Sequence, residues 1–267
     1  MIQRVERPAV TSLPAPVSLL FCLSILLLAV LATAISTAGL AQAAPVAALE
    51  FETSQGPLAV YPVGHGSPYL TFRGITVHID PYSQVADYRT LPKADQIWIT
   101  HDHADHLDRS AIAAVSAEKT VIVADRVSAA RIRDLGAIAL ANGDRIELDG
   151  IIIEAVPAYN LVWERAPGQK YHPKGQYNGY IATFGDFRMY VAGDTECFPE
   201  MSQFGPIDLA FIPINLPFTM PPEEAVGCIK VISPKVVVPY HQGSSDPNVV
   251  ATGLANSGIE VIVLPLP

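Results

Sequence analysis

Between residues 100 and 108 the chain runs Thr100-His101-Asp102-His103-Ala104-Asp105-His106-Leu107-Asp108, which gathers three of its seven histidines into six positions. Imidazole and carboxylate are the donors that zinc and related divalent ions take. The flanks limit what such a run can belong to. Ile97-Trp98-Ile99 before it has the pattern of a buried strand, and Arg109 to Glu118 after it has that of a helix. A loop leaving a strand can turn the alternate side chains His101 and His103 toward one ion. Asp105 and His106, at the start of the next helix, then face a second. The apolar flanks set the run apart from an ordinary solvated polar loop, and a site for a single ion is the closer competitor.

Around this loop the apolar pattern is mostly that of short strands. Leu58 to Val63, Tyr69 to Phe72 and Ile75 to Ile79 form a meander, the last two joined by a tight turn at Arg73-Gly74. A strand at Thr120 to Ala124 and a helix after Asp125 follow the motif. Paired strands are expected at Arg145 to Leu148 and Ile151 to Val156, then a long loop rich in Pro, Gly and Tyr from Pro157 to Gly179. Tyr180 to Phe184 and Arg188 to Ala192 are strands. The remainder alternates: a strand at Leu209 to Pro213, a helix opening at Pro221-Pro222-Glu223-Glu224, a strand at Val236 to Pro239, a helix near Val249 and a strand at Val261 to Leu264. Two meander-rich halves, each followed by helix and strand in alternation, predict two sheets packed face to face with helices outside.

The first 43 residues are set apart. Arg4 and Arg7 make a charged start, Leu19 to Leu31 an apolar run, and Ala41-Gln42-Ala43 a small-x-small cleavage site. This is the pattern of a secretory signal peptide, which places the mature chain outside the cytoplasm, periplasmic or extracellular. A retained membrane anchor is the alternative, because the apolar stretch approaches spanning length. Residues 44 to 267 are then a single domain, long enough to bury a sizeable core. Removing residues 1 to 43 takes two of the 17 basic and one of the 26 acidic side chains, leaving a net charge of −10. That balance argues against nucleic acid as a partner. Cys197 and Cys228 remain, and both a disulfide and two free thiols are compatible with the sequence.

The motif resembles that of the metallo-β-lactamase superfamily, whose H-x-H-x-D-H pattern is matched at His101, His103, Asp105 and His106. The resemblance extends from Gly64-His65-Gly66-Ser67 and Ile79-Asp80-Pro81 through Ala192-Gly193-Asp194-Thr195 to Pro239-Tyr240-His241. Within the superfamily it is most similar to the ascorbate-phosphate lactonase-like branch. The resemblance implies an α/β fold, a four-layer αββα sandwich, with metals at one edge. It also implies that Asp194 bridges two ions and that His241 binds the second. Both residues follow expected strands, where loop sites are commonly assembled.

The superfamily usually supplies one more histidine to the first ion, between the motif and the bridging aspartate, and only His172 is available there. Asn160, or a water in its place, is the alternative. The loop that carries His172 can also act as a lid over the substrate. Asp80 is expected to accept a hydrogen bond from a ligand imidazole and fix its orientation. His65 is either a similar supporting group or a core histidine, and His78, inside a β-type run, is structural. Lys174, Asn215 and Tyr240 are candidate substrate-binding groups, chosen for their closeness in the chain to the ligands.

Such a site predicts a hydrolase that uses two divalent ions, zinc first and manganese or iron as alternatives. Asp105 and Asp194 are its catalytic carboxylates, and a hydroxide bridging the metals attacks an ester, lactone, amide or phosphodiester of a small-molecule substrate. An iron-dependent oxidoreductase on the same ligands, or a non-catalytic metal-binding protein, are the other readings.

Overall fold

Successive side chains of a strand leave opposite faces of its sheet, and here both faces are apolar. In Phe187–Val191, Met189 and Val191 oppose Tyr190; in Leu209–Pro213, Leu209 and Phe211 oppose Ala210 and Ile212; in Gln96–Ile99, Trp98 opposes Ile97 and Ile99. Strands of this kind require cover on both sides. The structure, a computed structural model, describes residues 3–4 and 47–266 and shows how that cover is supplied. Seven strands, from Leu49–Thr53 to Ile138–Leu140 in chain order, make one sheet. Eight make the other, in the order Gln3–Arg4, Arg145–Leu148, Ile151–Ala158, Tyr177–Phe184, Phe187–Val191, Leu209–Pro213, Val236–Tyr240 and Glu260–Val261.

The inner faces share one core, in which Leu58, Leu70, Phe72 and Trp98 of the first sheet join Ile153, Phe184, Met189 and Phe211 of the second. Helices Arg109–Val115 and Arg126–Arg131 pack on the outer face of the first sheet, and Pro222–Ile232 and Asn248–Leu254 on that of the second. This is the four-layer αββα sandwich that the sequence pattern predicts.

Strand direction places the site. Ile75–Ile79 runs parallel to Gln96–Ile99, and Phe187–Val191 runs parallel to Leu209–Pro213, itself parallel to Val236–Tyr240. The residues just past these strand ends are Asp80, Thr100 and His101, Asp194, and His241. Asp108 closes the motif loop by capping the next helix, its carboxylate accepting the Ser110 and Ala111 N–H groups at 2.8 and 3.2 Å.

Three expected boundaries differ. The helix from Arg109 stops at Val115, not Glu118, because Ser116 turns to extended backbone and Thr120 ties the chain down by donating to the Ala94 carbonyl. The long loop is partly ordered: Ile151–Ala158 continues as a strand, Glu164–Ala166 pairs with Gln169–Lys170, and the next strand already begins at Tyr177. The last strand is only Glu260–Val261, after which the Leu264 carbonyl takes a hydrogen bond from Gln242. Cys197 and Cys228 are free thiols. The proposed signal or anchor segment lies, apart from Gln3–Arg4, outside the described residues. Among those residues no helix is long and apolar enough to cross a membrane.

His78 is buried in the first sheet, with its Nε2 paired to the Pro92 carbonyl at 3.0 Å, and burial lowers its pKa from 6.5 to about 4. The folded state therefore binds this proton less readily than the unfolded chain. The contribution is intact above pH 6.5 and is lost as pH falls from there through about 4, costing about 3 kcal/mol in full. Denaturant unfolding of the metal-free protein across this window should steepen accordingly, and His78→Gln should flatten the slope.

Candidate metal centre

Asp80 organises the loop before any metal is considered. Its Oδ1 accepts the Thr100 N–H at 2.7 Å, and its Oδ2 accepts both the Thr100 hydroxyl at 2.5 Å and the His106 Nδ1 proton at 2.8 Å. Thr100 spends its one hydroxyl proton on Asp80, so toward His101 Nδ1, 3.0 Å away, the hydroxyl only accepts. These partners assign a proton to each Nδ1 and direct each Nε2 toward the interior of the site, bare in neutral His101 and freed in His106 when its second proton leaves. One carboxylate thus orients His106 directly and His101 through Thr100.

Two clusters of donor atoms result. In the first, His172 Nε2 lies 3.2 Å from His103 Nδ1 and 3.6 Å from Asp194 Oδ2, which is 3.9 Å from His101 Nε2. In the second, His106 Nε2 and His241 Nε2 are 3.2 Å apart and each is 3.4 Å from Asp194 Oδ1. Asp105 Oδ2 completes that cluster at 3.6 Å from His106 and 3.4 Å from His241. Donors bound at zinc distances at the corners of a tetrahedron stand about 3.3 Å apart. The buried His101 Nε2 and Asp194 Oδ1 find no hydrogen-bond partner among the protein's atoms. Buried polar atoms seldom go unpaired, so spacing and orphaned donors both fit metal ions.

The charges agree. Burial alone would lower the His106 pKa, but the Asp194 and Asp80 carboxylates push it up to about 10. Burial lowers His172 to about 4 and takes His101 well below its ordinary value. Burial would raise Asp194 and Asp105, yet the surrounding histidines hold both below the usual carboxylate range. The ionised Asp194 and Asp105 therefore face the neutral His101 and His172 and a protonated His106, an arrangement suited to cations and tied to proton release from His106 when they bind.

Strain collects at the same place. Of the six non-glycine residues with positive φ among those described, His65, Asp80 and His241 belong to this site. His65 sits at the tip of the hairpin formed by Gly56–Gly64 and Ser67–Phe72; its Nε2 is 2.9 Å from Asp105 Oδ2, and its carbonyl accepts the His241 N–H at 3.0 Å. The next residue must be small, because a Cβ at Gly66 would stand 3.0 Å from the His106 ring.

His101, His103, Asp105, His106, His172, Asp194 and His241 thus come together, with Asp80 behind them. Asn160, the alternative to His172, instead accepts the His172 ring proton at 2.8 Å. The expected substrate groups fare differently. Tyr240 is buried between the sheets, its hydroxyl accepting the Gly193 N–H at 2.9 Å, which corrects its assignment to the substrate. Lys174 lies outside both donor clusters, its side chain 62% exposed and its ammonium paired with Glu200 at 2.7 Å. Asn215 is half-buried, and its side chain packs against Gly243, two residues past His241. Sequence reasoning assigned nothing to Asp102, Thr100 or Glu196. Asp102 accepts the Tyr177 hydroxyl at 2.7 Å and pairs with Arg131 at 2.6 Å, which pins the motif loop.

Comparison with known proteins places residues 59–241 in the family described as Beta-lactamase superfamily domain. A curated relative from Pyrococcus horikoshii, named UPF0173 metal-dependent hydrolase, is 34% identical over 197 residues, covering 69% of this chain and 84% of the relative. A crystal structure from Parabacteroides distasonis, of a protein provisionally assigned as a metal-dependent hydrolase, is 42% identical. It superposes with a TM-score of 0.77 over 82% of this chain and 99% of that one. The fold alone is shared with CmlA, a diiron beta-hydroxylase from Streptomyces venezuelae, at 15% identity and a TM-score of 0.62, over 82% of this chain and 53% of CmlA.

Proposed function

This chain belongs to the beta-lactamase superfamily and is a metal-dependent hydrolase of the metallo-β-lactamase fold, and from that premise we propose that it works with two divalent ions on a small-molecule ester, lactone, amide or phosphodiester. One observation carries the binuclear part. The two oxygens of Asp194 are divided between the clusters, Oδ1 toward His106 and His241 and Oδ2 toward His101 and His172. His101, His103 and His172 would hold the first ion, Asp105, His106 and His241 the second, and Asp194 would serve both. A pair of such ions lowers the pKa of a shared water to near neutrality and polarises the bond under attack.

The protein's own groups set direction. Asp194 is 3% exposed and Asp105 is 34% exposed, so substrate and water approach from the Asp105 side. His65 and His241 hold the Asp105 carboxylate ionised at that opening. Leu161, Val162, Leu216 and Phe218 are exposed apolar side chains on the two loops joined through Asn160. They direct a substrate search toward molecules with an apolar acyl or aryl part.

The test is a hydrolysis screen over lactones, β-lactams, esters and phosphodiesters, with metal analysis of protein purified without added metal. Hydrolysis lost to a chelator and restored by zinc or manganese is the expected result. An iron-loaded protein that turns over none of these but consumes dioxygen supports the oxidoreductase reading that the CmlA fold keeps open.

A further inference from the structure

Glu196, two residues beyond Asp194, is fully buried and belongs to neither cluster. A buried carboxylate is costly unless its oxygens are satisfied, and these are. Oε1 accepts the Asn160 Nδ2 proton at 3.0 Å and the Trp163 N–H at 2.7 Å, while Oε2 accepts the Leu161 and Val162 N–H groups at 3.1 and 2.8 Å. Three successive backbone N–H groups converge on one side chain, so the chain is wrapped around Glu196 directly after Asn160.

The wrapping fixes an amide. Asn160 Nδ2 also donates to the Phe218 carbonyl at 2.9 Å, and a flipped carboxamide would set oxygen against two acceptors. Asn160 Oδ1 must then face His172, where it accepts both the backbone N–H and the ring Nδ1 proton at 2.8 Å. With Nδ1 carrying the proton, His172 Nε2 is bare and lies toward Asp194 and His103.

We propose that Glu196 and Asn160 are positioning residues for the first metal site: Glu196 fixes Asn160, and Asn160 fixes the tautomer and direction of His172. This rests on the reading of His172 as a ligand. A purely architectural role for Glu196 would hold the loop without governing the His172 ring, and the two differ at Asn160, whose removal leaves the three backbone bonds of Glu196 in place.

Ring ¹⁵N shifts of His172 in the metal-free wild-type protein, identified by their loss in His172→Gln, should show the proton on Nδ1; a proton on Nε2 overturns the proposal. Zinc titration against a competing chelator gives the second arm, with His172→Ala and His241→Ala marking the first and second sites. Asn160→Ala and Glu196→Gln should lower first-site affinity by about 10–100-fold, the loss typical of a ligand's hydrogen-bonding partner, and leave the second site near wild type. Glu196→Gln matches in size but turns an amide nitrogen toward N–H donors; if it does not fold, Asn160→Ala decides, and if neither folds, the wild-type shifts do. Wild-type affinities in Asn160→Ala, or equal losses at both sites, overturn the proposal. Zinc uptake unchanged in His172→Ala overturns the ligand reading and the proposal together, whereas loss there without loss in Asn160→Ala overturns the proposal alone.

Discussion

Asp194→Ala is expected to empty both metal positions and abolish hydrolysis. Each carboxylate oxygen serves a different cluster, and the alanine leaves three imidazoles on one side and two imidazoles with Asp105 on the other. The loss at each site should exceed the about 10–100-fold that follows removal of an outer hydrogen-bond partner. Metal charge stabilises a hydrolytic transition state by several kcal/mol, so turnover should fall by about 10³-fold or more. Asp194→Asn keeps the shape without the charge and should fall between alanine and wild type in metal content. Elemental analysis and hydrolysis rates on the same preparations check this, with His241→Ala as the variant that loses only the second ion.

Asp80→Ala should be the most damaging change to the fold itself. It strips partners from the Thr100 N–H, the Thr100 hydroxyl and the charged His106 ring, all in a fully buried setting. Breaking a buried pair of this kind costs about 3–5 kcal/mol. The left-handed backbone at residue 80, φ 43°, adds about 1 kcal/mol, since alanine tolerates it less well than aspartate. Because Asp80 orients His106 directly and His101 through Thr100, both sites should also bind metal more weakly. Denaturant unfolding of metal-free protein measures the first effect. A variant as stable as wild type would show that Asp80 does not hold the loop together.

The parts of the site that were legible in the sequence are the local ones. His101, His103, Asp105 and His106 stand within six positions, and a strand before with a helix after leaves few ways to place them. Asp194 and His241 were legible through the resemblance to the superfamily, with their places after apolar strands in support, since parallel strands deliver their ends to one edge. Most strands of both sheets were legible as short apolar runs bounded by turn residues, while Leu49–Thr53 and Ile138–Leu140 were not read as strands. Neighbourhood along the chain misled where alternation applies: Tyr240 adjoins His241, yet its side chain points into the core between the sheets. Glu196 was hidden because its partners lie 33 to 36 residues back, and the choice left open at His65 turns on Asp105, 40 residues away. Such pairings are set by packing and leave no local pattern.

The account stands on Asp194 serving two ions at once, and the most direct test is the number of zinc ions per chain in wild-type protein saturated with zinc and freed of excess. The account predicts two, both weakened together in Asp194→Ala. One ion per chain at saturation contradicts it.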